Sequence, residues 1–270
     1  PKRDWSSDVC SSDLAPSSFN VTLSNQSGFT SMVGGLVITN NPQMATPLRD
    51  GAGFGTGLAP GAFVSIFSTA TQDLAIGSTA AVAVPLPTTL SGISVMVGNR
   101  YAPLFLAGPG QINALIPFET PTGSTNITVF AGPDAPGNTV AINLNPTAPG
   151  IFALNQAGSG QGAIQNPNGS FAAPARSVPG SQAAPAARGG VIIIYASGLG
   201  QVTPQLPSGL AAGTNGTAIP TLINPPTVRI GGVASTVEFA GLAPGFVGLY
   251  QVNVRVPANR SEEHTSELQS

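Results

Sequence analysis

The chain holds one thiol, one imidazole and one indole, and Cys10, His264 and Trp5 all fall in its terminal segments, residues 1–14 and 260–270. Between them, residues 15–259 contain none of the three types. A thiol nucleophile, a disulfide, a Cys/His zinc site and a histidine general base each need one of those side chains, so that long middle segment cannot supply them. The ionisable acids left there are Asp50, Asp73, Glu119, Asp134 and Glu238. Two carboxylates across a cleft would suit glycoside hydrolysis. Their surroundings suggest humbler work. Asp50, Asp73 and Asp134 sit in Gly- or Pro-rich turns, where Asp hydrogen-bonds nearby backbone; Glu119 follows Pro117; and Glu238 lies between Val237 and Phe239 on the solvent side of a strand pattern. The glycine runs at 51–57 (GAGFGTG) and 158–162 (GSGQG) lack the Lys-Ser/Thr and the helix that a phosphate loop requires. There is no Gly-x-Ser-x-Gly elbow and no Asp-x-Asp calcium loop. No catalytic, cofactor-binding or metal-ligating residue is assigned, and the expectation is a protein that is not an enzyme.

One polar pattern occurs twice, Gln111-x-Asn113 and Gln251-x-Asn253. Residues two apart on a strand share a face, so each Gln sits beside its Asn. Side-chain amides both donate and accept, which fits either of two roles: binding a sugar, with Tyr250 beside Gln251 as an aromatic platform, or tying down a neighbouring loop. The scarcity of other aromatic residues nearby favours the loop-tying role.

The elements that would position these residues are strands. Apolar residues alternate at Ile93, Val95 and Val97, at Ile127 and Val129, and at Ile142 and Leu144, while Gly and Pro clusters break the chain between them. No stretch has helical spacing. Many short strands with regular turns predict an all-β fold of sandwich or barrel type. The order also recurs: residues 58–67 line up with 186–195, 93–98 with 227–232, Phe105 with Phe239, and 111–117 (QINALIP) with 251–257 (QVNVRVP). This predicts a tandem duplication of a unit of about a hundred residues.

The two terminal segments have another origin in this reading. Residues 4–14 (DWSSDVCSSDL) and 260–270 (RSEEHTSELQS) can be encoded by one DNA segment read on opposite strands, and that segment resembles a short-read sequencing adapter. They are set aside as translated adapter. Six of the eleven acids and three of the nine bases go with them, leaving six arginines against five acids and no lysine. That balance offers no footprint for nucleic acid or an anionic membrane. No apolar run reaches the ~18 residues of a membrane helix.

Residues 58–61 (LAPG), 64–67 (VSIF), 102–105 (APLF), 148–152 (APGIF), 160–164 (GQGAI), 195–200 (YASGLG) and 239–246 (FAGLAPGF) resemble, as a set, immunoglobulin-like repeats of IPT/TIG kind found near the C-termini of large secreted proteins of soil bacteria. The resemblance implies two Ig-like β-sandwiches, extracellular or cell-surface, serving as non-catalytic spacer or adhesive modules. Their partners would be neighbouring domains of the same chain, with polysaccharide as the alternative ligand through Gln111, Asn113, Tyr250, Gln251 and Asn253. No cofactor is implied. The expected division is 1–14 adapter, 15–50 the end of an upstream module, 51–147 the first repeat, 148–259 a second repeat truncated at its C-terminus, and 260–270 adapter. The second repeat lacks a counterpart of the hairpin expected at 125–130 and 139–144. About five missing core side chains at roughly 1.5–3 kcal/mol each amount to about 7–15 kcal/mol, comparable with the whole stability of a domain, about 5–15 kcal/mol. Residues 148–259 alone are therefore expected to show no cooperative unfolding transition; a sharp two-state melt of that fragment, followed by circular dichroism, would contradict this.

Overall fold

The structure is a computed structural model describing residues 41–70, 72–132, 135–213 and 218–258, together with the backbone of four short strands, Ser18–Phe19, Thr22–Asn25, Gly28–Ser31 and Leu36–Val37. Every regular element among the described residues is a β-strand, as the alternating pattern predicts.

The first half forms two antiparallel sheets. One has the order Arg49–Asp50, Phe63–Phe67, Gln111–Leu115, Leu104–Ala107, Thr79–Ala80; the other runs Arg100–Tyr101, Ile93–Val97, Gly123–Ala131, Pro136–Leu144, with Thr89–Leu90 also on Ile93–Val97. Period-2 alternation drives Val64, Ile66, Ile112 and Ala114 from the first sheet and Val95, Val97, Ile127 and Val129 from the second into one core with no residual exposure. The arrangement is consistent with a β-sandwich. That core also takes in Met44 and Leu48, and Met44 is held at both its backbone groups by the Asn138 side chain.

The second half has one large sheet in which Ile164–Gln165, Val191–Ser197, Tyr250–Arg255, Val237–Leu242, Thr221–Leu222 and Val202–Thr203 are successive antiparallel neighbours. A separate hairpin, Val228–Ile230 with Val233–Ser235, lies over its core. Pairing in the two halves follows the same register. Gln111 faces Phe67 and Asn113 faces Ser65; Gln251 faces Tyr195 and Asn253 faces Ile193. Each large sheet also carries a bulge at the same place, between Leu104 and Leu106 and between Val237 and Phe239.

Two of the sequence matches shift by one residue. Leu106, not Phe105, lies opposite Asn113 as Phe239 lies opposite Asn253, because the bulge absorbs Phe105 in one half and Glu238 in the other. Likewise the hairpin turns align Val97 with Ile230 rather than with Gly231, since Val97 pairs Arg100 across one turn and Ile230 pairs Val233 across the other. The shift keeps Val228 and Ile230 facing the core and Arg229 outside; the register read from the sequence would have buried the arginine.

The halves are joined by side chains that cross between them. Leu115 and Phe118 belong to the second core, although Leu115 ends a strand of the first half and Phe118 follows it. Phe118 meets Tyr250 edge-on at 6.5 Å, and the Tyr250 hydroxyl donates to the Gly200 carbonyl at 2.6 Å. Phe63 packs against Phe105 at 4.8 Å and Phe152 at 5.6 Å. Polar links surround the rings: Phe118 N–H donates to Ser208 Oγ, Gln201 Nε2 to the Phe118 carbonyl, Phe63 N–H to Ser197 Oγ, and Leu86 N–H to the Gly209 carbonyl. Gly61 has φ +77°, and a Cβ there would run into the Phe118 ring and lie 2.8 Å from Tyr250 Oη. Gly61→Ala is expected to cost about 3 kcal/mol or more, combining left-handed strain with overpacking. Gly92→Ala, at φ +79° with open space around it, should cost only the strain, about 1–2 kcal/mol. Denaturant titration of both variants checks this; equal losses would show that the Phe118–Tyr250 contact does not constrain Gly61.

Candidate functional site

The Gln/Asn motifs are closed on themselves. Gln111 Nε2 donates to Asn113 Oδ1 at 2.7 Å, Ser65 Oγ donates to the same oxygen at 3.1 Å, and Gln251 Nε2 donates to Asn253 Oδ1 at 2.9 Å. Both pairs are half-buried on the strand face opposite the core. Among the described residues the amides therefore bond to each other and to Ser65, with no bond to a loop backbone. Tyr250 is placed otherwise than a sugar platform requires: it is 0 % exposed and points into the second core with Val252 and Val254, while Gln251 and Asn253 point the other way. Adjacent strand residues face opposite sides, so neighbourhood in sequence separated them in space. Of the three tyrosines, Tyr101 is the exposed one, at 55 %.

The acids are dispersed among separate partners. Asp50 is buried at the junction, where its Oδ2 accepts from the amides of Ala52, at 3.2 Å, and Gly53, at 2.6 Å, a turn stabilised by its own side chain as the sequence suggests. Burial pushes its carboxyl above the ordinary value, although the Gly53 amide, the Ser197 hydroxyl and the Ala52 amide oppose the shift. Gly150 of the second half approaches the same carboxylate so closely that a Cβ there would collide with it. Glu119 has the opposite balance. Burial would raise it, but the Ser208 hydroxyl, backbone amides and the Arg100 charge together hold it below the usual carboxylate value. Its two oxygens accept from Ser208 N–H at 3.1 Å and Ser208 Oγ at 2.8 Å, across the junction. Glu238 pairs with Arg255 at the surface. Asp134 lies outside the described residues. Among the described residues, no three of His, Cys, Asp and Glu gather as a metal site would require.

Two adjoining clefts open beside Gly92 and Gly132. One, of about 420 Å³, is mostly apolar, with Leu74, Ile76 and Ile93 in its wall and Asp73 on its lining. Its neighbour, of about 370 Å³, is lined by Thr88, Thr89, Ser94, Tyr101 and Phe130. Hydroxyls beside two aromatic rings can bind a neutral polar ligand, and no Asp, Glu, Lys, Arg or His lines this second cleft. Sequence reasoning did not single out this group. Its members come from four strands and a turn, and the only signal was a tyrosine next to a hairpin turn.

No family model, curated protein or solved structure matches this chain.

The two junction acids should leave opposite marks on stability. Asp50 has a folded-state value above its unfolded one, so the unfolded chain ionises first, and stability falls as pH rises from the unfolded value to the folded one. Glu119 is held low, so its contribution is present above its unfolded value and is lost as pH falls through the folded value. Denaturant stability measured from about pH 3 to pH 8 should therefore show Asp50→Asn gaining on the parent as pH rises, and Glu119→Gln losing to it over the acidic range. A constant offset at every pH for either variant would contradict the assignment.

Proposed function

We propose that the chain carries two tandem Ig-like β-sandwich units of IPT/TIG kind, acting as non-catalytic spacer or adhesive modules of a large secreted or cell-surface bacterial protein. The observation that carries this reading is the junction. Phe118 and Leu115 sit in the second core, and Glu119–Ser208 and Asp50 close the polar rim, which suits a stiff two-unit rod better than a pair of beads on a flexible linker. The common register of the Gln/Asn strands and the matching bulges support descent of both units from one. In this reading residues 1–14 and 260–270 are translated adapter, and neighbouring domains of the parent protein are the proposed partners. Spin labels at Thr139→Cys and Arg229→Cys, in a Cys10→Ser background, should give one narrow distance distribution; a broad distribution would contradict a spacer held stiff by its junction.

A second reading has its own observation. Tyr101 and Phe130 with the Thr88, Thr89 and Ser94 hydroxyls form a shelf of the kind that stacks and hydrogen-bonds a sugar ring. Gln111, Asn113, Gln251 and Asn253 are committed to each other, so polysaccharide binding would rest on this cleft. Retention on a polysaccharide column that is lost in Tyr101→Ala would establish it; elution of the parent with the void volume would remove it.

A further inference from the structure

In the first half, the strand Ile93–Val97 is paired on both sides. Arg100–Tyr101 takes one edge and Gly123–Ala131 the other, with Val97 opposite Ile127, Val95 opposite Val129 and Ile93 opposite Ala131. The pairing strand then turns into Pro136–Leu144, and Val140, Ile142 and Leu144 from that return strand join Ile127 and Val129 over the core. The corresponding strand of the second half, Val228–Ile230, pairs with Val233–Ser235 alone; no described residue pairs with its other edge.

The missing cover shows in burial. Val64 and Ile66 are 0 % exposed in the first half, whereas Ile192 and Ile194, at the same register against the Gln/Asn strand, are 7 % and 8 % exposed. Ile93, Val95 and Val97 are buried; Val228 and Ile230 are only half-buried, as are Val237 and Val256 around them. In the first half the Gly98 amide donates to the Asn126 carbonyl at 2.8 Å across the filled edge. Its counterpart Gly231 and the alternate residue Arg229 direct their backbone groups to the open one by the same antiparallel alternation.

We infer that the edge of Val228–Ile230, with the half-covered apolar face beside it, is a docking site for one kind of occupant, a β-hairpin of the chemistry of Gly123–Leu144. The inference rests on reading the two halves as repeats of one unit. The occupant adds a strand antiparallel to Val228–Ile230 and lays apolar, β-branched side chains, spaced two apart, beside Val228 and Ile230 and over Ile192 and Ile194. It presents polar side chains outward, including one opposite Arg229, where the first half places Thr128 opposite Met96. Main-chain pairing supplies affinity, and the inward pair, at the positions of Ile127 and Val129, supplies register. Arg229, whose guanidinium donates to the Gly232 carbonyl at 3.0 Å, discourages indiscriminate strand pairing, since a like charge or a flat apolar partner would meet its positive charge there.

The test uses the full chain and a synthetic peptide of residues 121–146, with amide hydrogen exchange as readout. Exchange at Arg229 and Gly231 should slow by about tenfold or more when the peptide is added. A control peptide with Ile127, Val129, Val140 and Ile142 replaced by Ser should have no effect. A second form, in which residues 118–145 are grafted after Pro257 of the same chain, should protect the same amides without added peptide. Protection in either form, absent from the Ser control, supports the site. Protection in neither form, or equal protection by the control, overturns it while leaving the distance measurement on the spacer reading untouched.

Discussion

The structure depends on a crossing of side chains between its halves, centred on Phe118 and Tyr250. Phe118 leaves the first sheet directly after the strand Gln111–Leu115 and enters the second core, and Tyr250 begins the central strand of the second sheet with its ring wholly buried against it. Burying a tyrosine hydroxyl demands a partner, and the Gly200 carbonyl provides it. That bond fixes the loop after Val191–Ser197, which in turn brings Gln201 to the Phe118 carbonyl and sets Ser208 within reach of Glu119. The space for the rings exists because residue 61 has no side chain. Removing any one of these would leave a polar group or a ring without its counterpart, at a cost of about 1–3 kcal/mol for a buried unpaired polar group.

The charge distribution follows from the same crossing. With so few ionisable groups in residues 15–259, two of the five acids there are used at the junction, one nearly enclosed and one at its rim. Asp50 tolerates burial because the amides of Ala52 and Gly53 at its Oδ2 compensate part of its lost hydration. Glu119 keeps water on one side and a hydroxyl and an amide on the other. These carboxylates serve as hydrogen-bond acceptors that hold loops together.

Strands, turns and, among the described residues, the absence of helix were legible in the sequence because alternation at Ile93, Val95 and Val97, and again at Ile127 and Val129, is a local signal that burial only reinforces. The common register of the Gln/Asn strands was legible for the same reason. The one-residue offsets were not, since a bulge at Phe105 and a two-glycine turn at Gly231 and Gly232, with φ +57° and +79°, move the frame without altering the apparent motif. The alternative of Tyr250 as a ligand platform arose because its polar neighbour Gln251 suggested a shared surface, whereas the pleat sends the two to opposite faces. The junction itself was illegible: Phe118 with Tyr250, or Glu119 with Ser208, joins residues far apart in sequence with no pattern to connect them.

The second core is completed by side chains from the first half. Native-state amide exchange of the full chain carrying Phe118→Ala tests this most directly. Protection should fall at Val252 and Val254, in the second core, although the substituted residue belongs to the segment that follows the first sheet. Loss confined to the amides around residues 111–116, with Val252 and Val254 unchanged, would contradict it.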